Sequence, residues 1–311
     1  MTAAHIACPV VFEVRMDIVF GLLSALSFGS ADFIARFSTR ILGVKRTLFY
    51  TQGFGFLVLM LYLLLTGDLV YYTTHASWQV WCWGLVCAVI YTLGYLCLYR
   101  AFAVGQMSVV APIASSYAAV SVLLSVISGE RLAPLQWLGI IAVLAGAVLA
   151  TLQKSGPAAG TEHVMPSTKT RRRLPPGVFW ALLAAVGLGV TFWLLGFAVT
   201  PGMGSIVPVW LFRLVAACMI APLMLVRRES LAPPRGSITA LVVGIGIFDM
   251  AGMLFSTLGF AVGSIAIVSV LSSLYSAVSI LLAWLLLRER LQKVQWSGIA
   301  LLLAGIALTN L

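Results

Sequence analysis

The chain predicts an all-α integral membrane protein whose ten transmembrane helices form two inverted five-helix repeats. Three observations lead there: an extreme apolar composition, ten apolar runs of spanning length, and a set of motifs that occurs twice while the surrounding charge changes sides. Hydrophobic residues make up 61% of 311 and charged residues 9%, at a mean hydropathy of +1.07. An ordinary soluble domain has about 45–50% and about 25%, so this composition suits lipid.

The apolar runs fall near 17–37, 48–66, 79–103, 107–128 and 134–152, then 177–198, 206–226, 237–260, 264–287 and 294–311, giving spans 1 to 10 in chain order. A helix crosses a hydrocarbon core of about 30 Å in about 20 residues. Because the runs are continuously apolar rather than alternating, helices are expected and not barrel strands. Residues 1–16 form an N-terminal extension that does not read as a cleavable signal, since it carries Glu13 and Arg15; Met16 is an alternative start. Spans 1–5 make a first half over 17–152 and spans 6–10 a second over 177–311. Between them, 153–176 holds Lys169, Arg171, Arg172 and Arg173 among Pro, Gly, Ser and Thr and reads as a solvated linker.

The net charge of +10 sits at the ends of spans rather than along one face, which argues against nucleic acid as a partner and for anchoring in the bilayer. Sixteen Lys and Arg residues fall on the side of the loops after spans 1, 3, 5, 7 and 9, against Arg15 and Arg131 on the other. Positive charge stays in the cytoplasm. The linker is therefore expected in the cytoplasm and both termini on the outer, periplasmic side of a cell inner membrane. The cysteines at 8, 82, 87, 97 and 218 show no paired spacing and read as packing residues.

Motifs of the middle recur at the end. Ala103, Gly105, Tyr117 and Ser121 match Ala261, Gly263, Tyr275 and Ser279 at an offset of 158. At 159, Glu130, Arg131, Trp137 and Gly146 match Glu289, Arg290, Trp296 and Gly305. Gly21, Ala25 and Gly29 correspond to Ala181, Ala185 and Gly189 at 160, both of them stripes of small residues that let helices approach closely in lipid. The loop after span 1 carries four basic residues while its counterpart near 199–205 carries none, and the loops after spans 2 and 7 reverse that bias. Matching sequence with opposite charge is the mark of an inverted repeat, the architecture of many transporters.

These motifs, A-V-G before an apolar helix, G-E-R-L or R-E-R-L at its end and Q-W-x-G leading to A-G, resemble the drug/metabolite transporter superfamily in its ten-helix EamA-type branch, over 17–151 and 177–311. Trp210 to Ala216 resembles the arginine-bearing segment of the family's second helix, with Tyr50 in the first-half position. Many members carry proline near Tyr117 and Tyr275, which this chain lacks. The resemblance implies a permease of small organic metabolites, an exporter of amino acids being the nearest expectation.

Charge inside the membrane is costly and marks function. Asp249 on span 8 and Arg213 on span 7 are expected to meet as an ion pair or as opposite cavity walls; a pair that only fixes packing is the alternative. Asp32 is expected to pair locally with Arg36. Tyr91, Tyr95 and Tyr99 form an aromatic stripe with polar tips on span 3, the first two deep enough to line a cavity. Trp193, Trp210, Tyr117 and Tyr275 are candidates to complete the chamber, with Ser115 and Ser272 among hydroxyls that bind a solute or satisfy one another. Breaks at Gly105, Gly263 and Pro112 present helix ends or act as hinges. Glu130 and Glu289, each beside an arginine, read as salt bridges that stabilise turns. Spans 5 and 10, with Gly139, Gly146, Gly298 and Gly305, are assigned to packing or a homodimer face. His5, His75 and His163 lie outside the spans and no phosphate-binding loop is present, so no cofactor, no metal and no catalysis are expected. If protons drive the flux, Asp249 is the first candidate carrier. A membrane-embedded enzyme acting on lipid and a channel stay open as other readings.

Overall fold

The computed structural model describes residues 15–104, 113–151, 177–226, 233–287 and 293–309. The first half contains α1 (Met16–Leu42), α2 (Val44–Thr66), a short α3 (Asp68–His75), α4 (Trp78–Val104), α5 (Tyr117–Ile127) and α6 (Pro134–Thr151). The second contains α7 (Val178–Leu194), a π-helical turn over Leu195–Val199, the single turn α8 (Thr200–Met203), α9 (Val207–Val226), α10 (Ser237–Val262), α11 (Ile265–Ser272), α12 (Tyr275–Leu287) and α13 (Lys293–Thr309). Among the described residues all regular structure is helical. Seven stretches are long and apolar enough to cross a membrane: α1, α2, α4, α7 continued through α8, α9, α10, and α11 continued into α12. Ile113–Ile127, Pro134–Gly146 and the 17-residue α13 are shorter. The linker, with the breaks expected at Gly105 and Pro112, lies outside the described residues.

Composition explains the helices, and glycine sets one corner. Only Gly43 separates α1 from α2, and its φ of 80° is a left-handed conformation that a side chain would strain. Two short helices are ones that periodicity does not reveal, α3 beside α2 and α8 at the end of the stretch that α7 begins. Among the described residues, spans 4 and 9 are each interrupted in one place. The chain turns at Ser116 before Tyr117 and at Ser273–Leu274 before Tyr275, with no proline at either point. Serine does the work instead: Ser116 Oγ donates to Ile113 O at 2.6 Å and Ser273 Oγ to Val270 O at 2.6 Å, bonds that compete with the helical ladder and bend it.

Packing follows a twofold pattern. Helix α1 lies along α10 while α7 lies along α4; α1 also packs on α11 and α12 while α7 packs on α5; α2 meets α10 while α9 meets α4. Two further pairs, α2 with α9 and α6 with α13, join equivalent elements of the two halves, and α5 with α11 joins the equivalent spans 4 and 9. The main contacts among the described residues thus exchange between the halves, as a twofold axis between repeats requires. Atomic contacts repeat it. A Cβ on Gly29 would sit 2.5 Å from Val278 Cβ and 2.8 Å from Tyr275 O. One on Gly189 would sit 2.5 Å from Val120 Cβ and 2.6 Å from Tyr117 O. The small-residue stripes are therefore the seams where backbones touch, the way helices associate when lipid removes any hydrophobic drive. Buried hydroxyls also bridge the halves, Ser24 to Ser256 at 2.7 Å and Ser121 to Ser269 at 2.8 Å, each adding about 0.6 kcal/mol. Gly139, Gly146, Gly298 and Gly305 are buried in the seam between α6 and α13.

Candidate functional site

Arg213 is the largest fully buried side chain, 1% exposed in the middle of α9. Helix α9 packs against α2, α4 and α10 and turns its arginine toward them. Its Nη1 donates to Asp249 Oδ2 on α10 and to Gln52 Oε1 on α2. Tyr95 on α4 donates its hydroxyl to Asp249 Oδ1 at 3.4 Å. One ion pair thus gathers four helices. The side chain lies over Gly55, where a Cβ would come within 3.4 Å of Arg213 Cδ and Nε. Tyr91 packs its ring on Tyr95 at 4.6 Å and on Phe212 at 4.9 Å, and Tyr99 continues the stripe at 6.0 Å from Tyr95.

The cluster is incompletely satisfied. Arg213 Nε and Nη2, Tyr91 Oη and Trp210 Nε1 are buried with no hydrogen-bond partner among the described residues. More than about 90% of buried polar groups in proteins are paired, so unpaired donors gathered in one place call for an explanation. Burial of a charge pair also costs several kcal/mol in desolvation that good geometry only repays.

A second group lies where spans 4 and 9 cross. Tyr117 stacks on Tyr275 at 6.4 Å and meets the tilted ring of Phe192 at 4.9 Å. Ser115 is buried two residues back, and Ser272 shares a 3.4 Å hydrogen bond with Ser256. The serines around these tyrosines bond mainly to one another and to backbone, as Ser279 does to Gly29 O and Tyr275 O. Asp32 is half-buried on α1; the antiparallel register set by Ser24 on Ser256 and Phe28 beside Gly252 brings it level with Asp249. The side chain of Arg36, its expected partner, lies outside the described residues.

The structure therefore brings Tyr91, Tyr95, Arg213 and Asp249 together, with Trp210 one turn away and stacked on Phe56 at 6.0 Å. It groups Tyr117, Tyr275, Ser115 and Ser272 separately. Trp193 joins neither: its Nε1 donates to Ser128 Oγ at 2.8 Å near the end of α5. Gln52 faces Arg213, a partner that sequence reasoning missed because a neutral amide in an apolar span carries no charge to draw attention. One position needs correcting. Glu130 makes no salt bridge among the described residues but accepts from Ser264 Oγ and from Ala266 N in the other half. Glu289 lies outside the described residues. Among the described residues no three His, Cys, Asp or Glu side chains converge as a metal site would need.

Comparison with known proteins agrees with this architecture. A solved structure entitled only "Crystal structure of protein" superposes with a TM-score of 0.68 at 21% identity, over 94% of this chain and 95% of its own, which speaks to the fold alone. No protein with a curated function matches. The profile of the EamA-like transporter family matches twice, over residues 15–152 and 175–311, one match for each half. The chain belongs to the EamA-like transporter family, multi-pass membrane transporters of the drug/metabolite transporter superfamily.

Proposed function

We propose that this protein exports small organic metabolites that combine a carboxylate with an apolar part, amino acids being the leading class. It does so by alternating access, with two inverted five-helix halves, 17–152 and 177–311, rocking about a cavity at the midplane. In this reading the chain crosses a cell inner membrane ten times, with both termini outside and the basic 153–176 linker in the cytoplasm. The observation that carries it is the Arg213 cluster, where buried Nε and Nη2 groups lack partners beside the rings of Tyr91, Tyr95 and Trp210. A guanidinium binds a carboxylate in a fork of two parallel hydrogen bonds, and neighbouring rings accept an apolar side chain. The site joins α9 and α10 of one half to α2 and α4 of the other, so a solute held there is gripped by both.

The test is counterflow in proteoliposomes. Vesicles preloaded with an unlabelled aromatic or branched amino acid should transiently accumulate the labelled form, with and without an imposed pH gradient. A channel would equilibrate label without accumulation, and an enzyme would return a changed molecule; either result would remove this reading.

A further inference from the structure

Away from the Arg213 cluster, a second set of polar contacts joins the halves where α5 ends and α10 turns into α11. Glu130, just past α5, accepts from Ser264 Oγ and, at 3.4 Å, from Ala266 N. A carboxylate of the first half thereby closes the N-terminus of a helix in the second. Asp17, in the first turn of α1, accepts from Ser264 N at 3.3 Å and is itself paired with Arg15 at 2.8 Å. Trp193 Nε1 of the second half donates to Ser128 Oγ of the first. These contacts surround a crevice of about 430 Å³, lined among others by Ser125, Ser128, Glu130, Trp193, Phe197 and Ser264. The Oγ of Ser125, a residue that lines the crevice, is buried without a partner.

The chemistry differs from the other seams. Where α1 meets α12 and α7 meets α5, glycines bring one helix against the backbone of the next, and the helices cannot part without opening a void. Here carboxylates hold helix and turn N–H groups, and at the half-buried Glu130, which lines the crevice, water can take the place of either partner. The π-helical turn Leu195–Val199 adds a device common at functional sites, and Trp193 stacks on Phe197 across its start at 5.5 Å. Polar contacts between halves, concentrated at one end of the bundle over a crevice, are what a separable closure needs.

We infer that Glu130, Asp17 and Ser264 form the outer clasp of the transport cycle, and that the crevice behind them is the solute's path once they part. These are positioning residues: they hold the two halves together while the path is closed. The inference rests on the alternating-access reading proposed above.

The test uses the full chain in proteoliposomes with Cys8, Cys82, Cys97 and Cys218 replaced by alanine, native Cys87 kept, and Ser125→Cys placed in the crevice. A membrane-impermeant maleimide is added from outside. Glu130→Gln and Ser264→Ala should each speed labelling at position 125 about tenfold, the scale of losing one charge-assisted hydrogen bond. Glu130→Asp should stay near the parent, and buried Cys87 should remain unlabelled throughout. Unchanged labelling in both variants would overturn the clasp, as would labelling of Cys87 in step with position 125, which would mean a loosened fold. If labelling separated as expected while the parent showed no counterflow, the transport reading would fall and the contact between halves would stand.

Discussion

Arg213 and Asp249 hold the account together at the scale of single residues. Each is buried, and each is tolerable only because the other is there. Arg213→Ala leaves a buried carboxylate unpaired and should destabilise the protein by about 3–5 kcal/mol, read as a lowered unfolding midpoint in detergent. The double change Arg213→Met with Asp249→Leu should recover most of that stability, since apolar side chains of similar volume often replace a buried pair without loss. It should not recover transport, and a double variant that moved solute normally would reduce the pair to packing. Gln52→Ala, which removes one neutral partner from Arg213, should cost about 1 kcal/mol. The charged members were legible in the sequence because charge in an apolar span stands out. Gln52 was not, and Glu130 misled because an adjacent arginine offered a local partner while its real one lies 134 residues away.

At the scale of elements, the seams decide which helices touch. Gly29→Ala and Gly189→Ala each put a methyl into backbone and valine, and overpacking of this kind costs about 1–3 kcal/mol. Since the two positions are equivalent in the repeat, their effects on the unfolding midpoint should be similar. A large loss at one with none at the other would break the symmetry argued from the contacts. The small-residue stripes were readable because their spacing follows the helix period. The interruptions before Tyr117 and Tyr275 were not, because proline is the usual signal and here serine-to-backbone bonds bend the chain. Helices α3 and α8 escaped for a simpler reason: eight and four residues are too few for periodicity to register.

The whole molecule is a pair of interlocked halves rather than two bundles side by side. Helix α1 packs chiefly on helices of the second half, and α7 on helices of the first, so neither half holds its core alone. The doubled motifs and exchanged loop charges carried this much of the architecture in the sequence; the interlocking depends on contacts far apart in the chain and appeared only in three dimensions. Reporter fusions should place the 153–176 linker in the cytoplasm and the C-terminus outside, and a cytoplasmic C-terminus would contradict the inverted arrangement proposed here. The central claim is that a solute binds between the halves at the Arg213 cluster, and the most direct measurement is the concentration dependence of amino-acid flux in proteoliposomes. Wild-type flux should saturate, and Asp249→Asn and Tyr95→Ala should abolish it while both proteins still reconstitute. Wild-type kinetics in both variants would contradict the account.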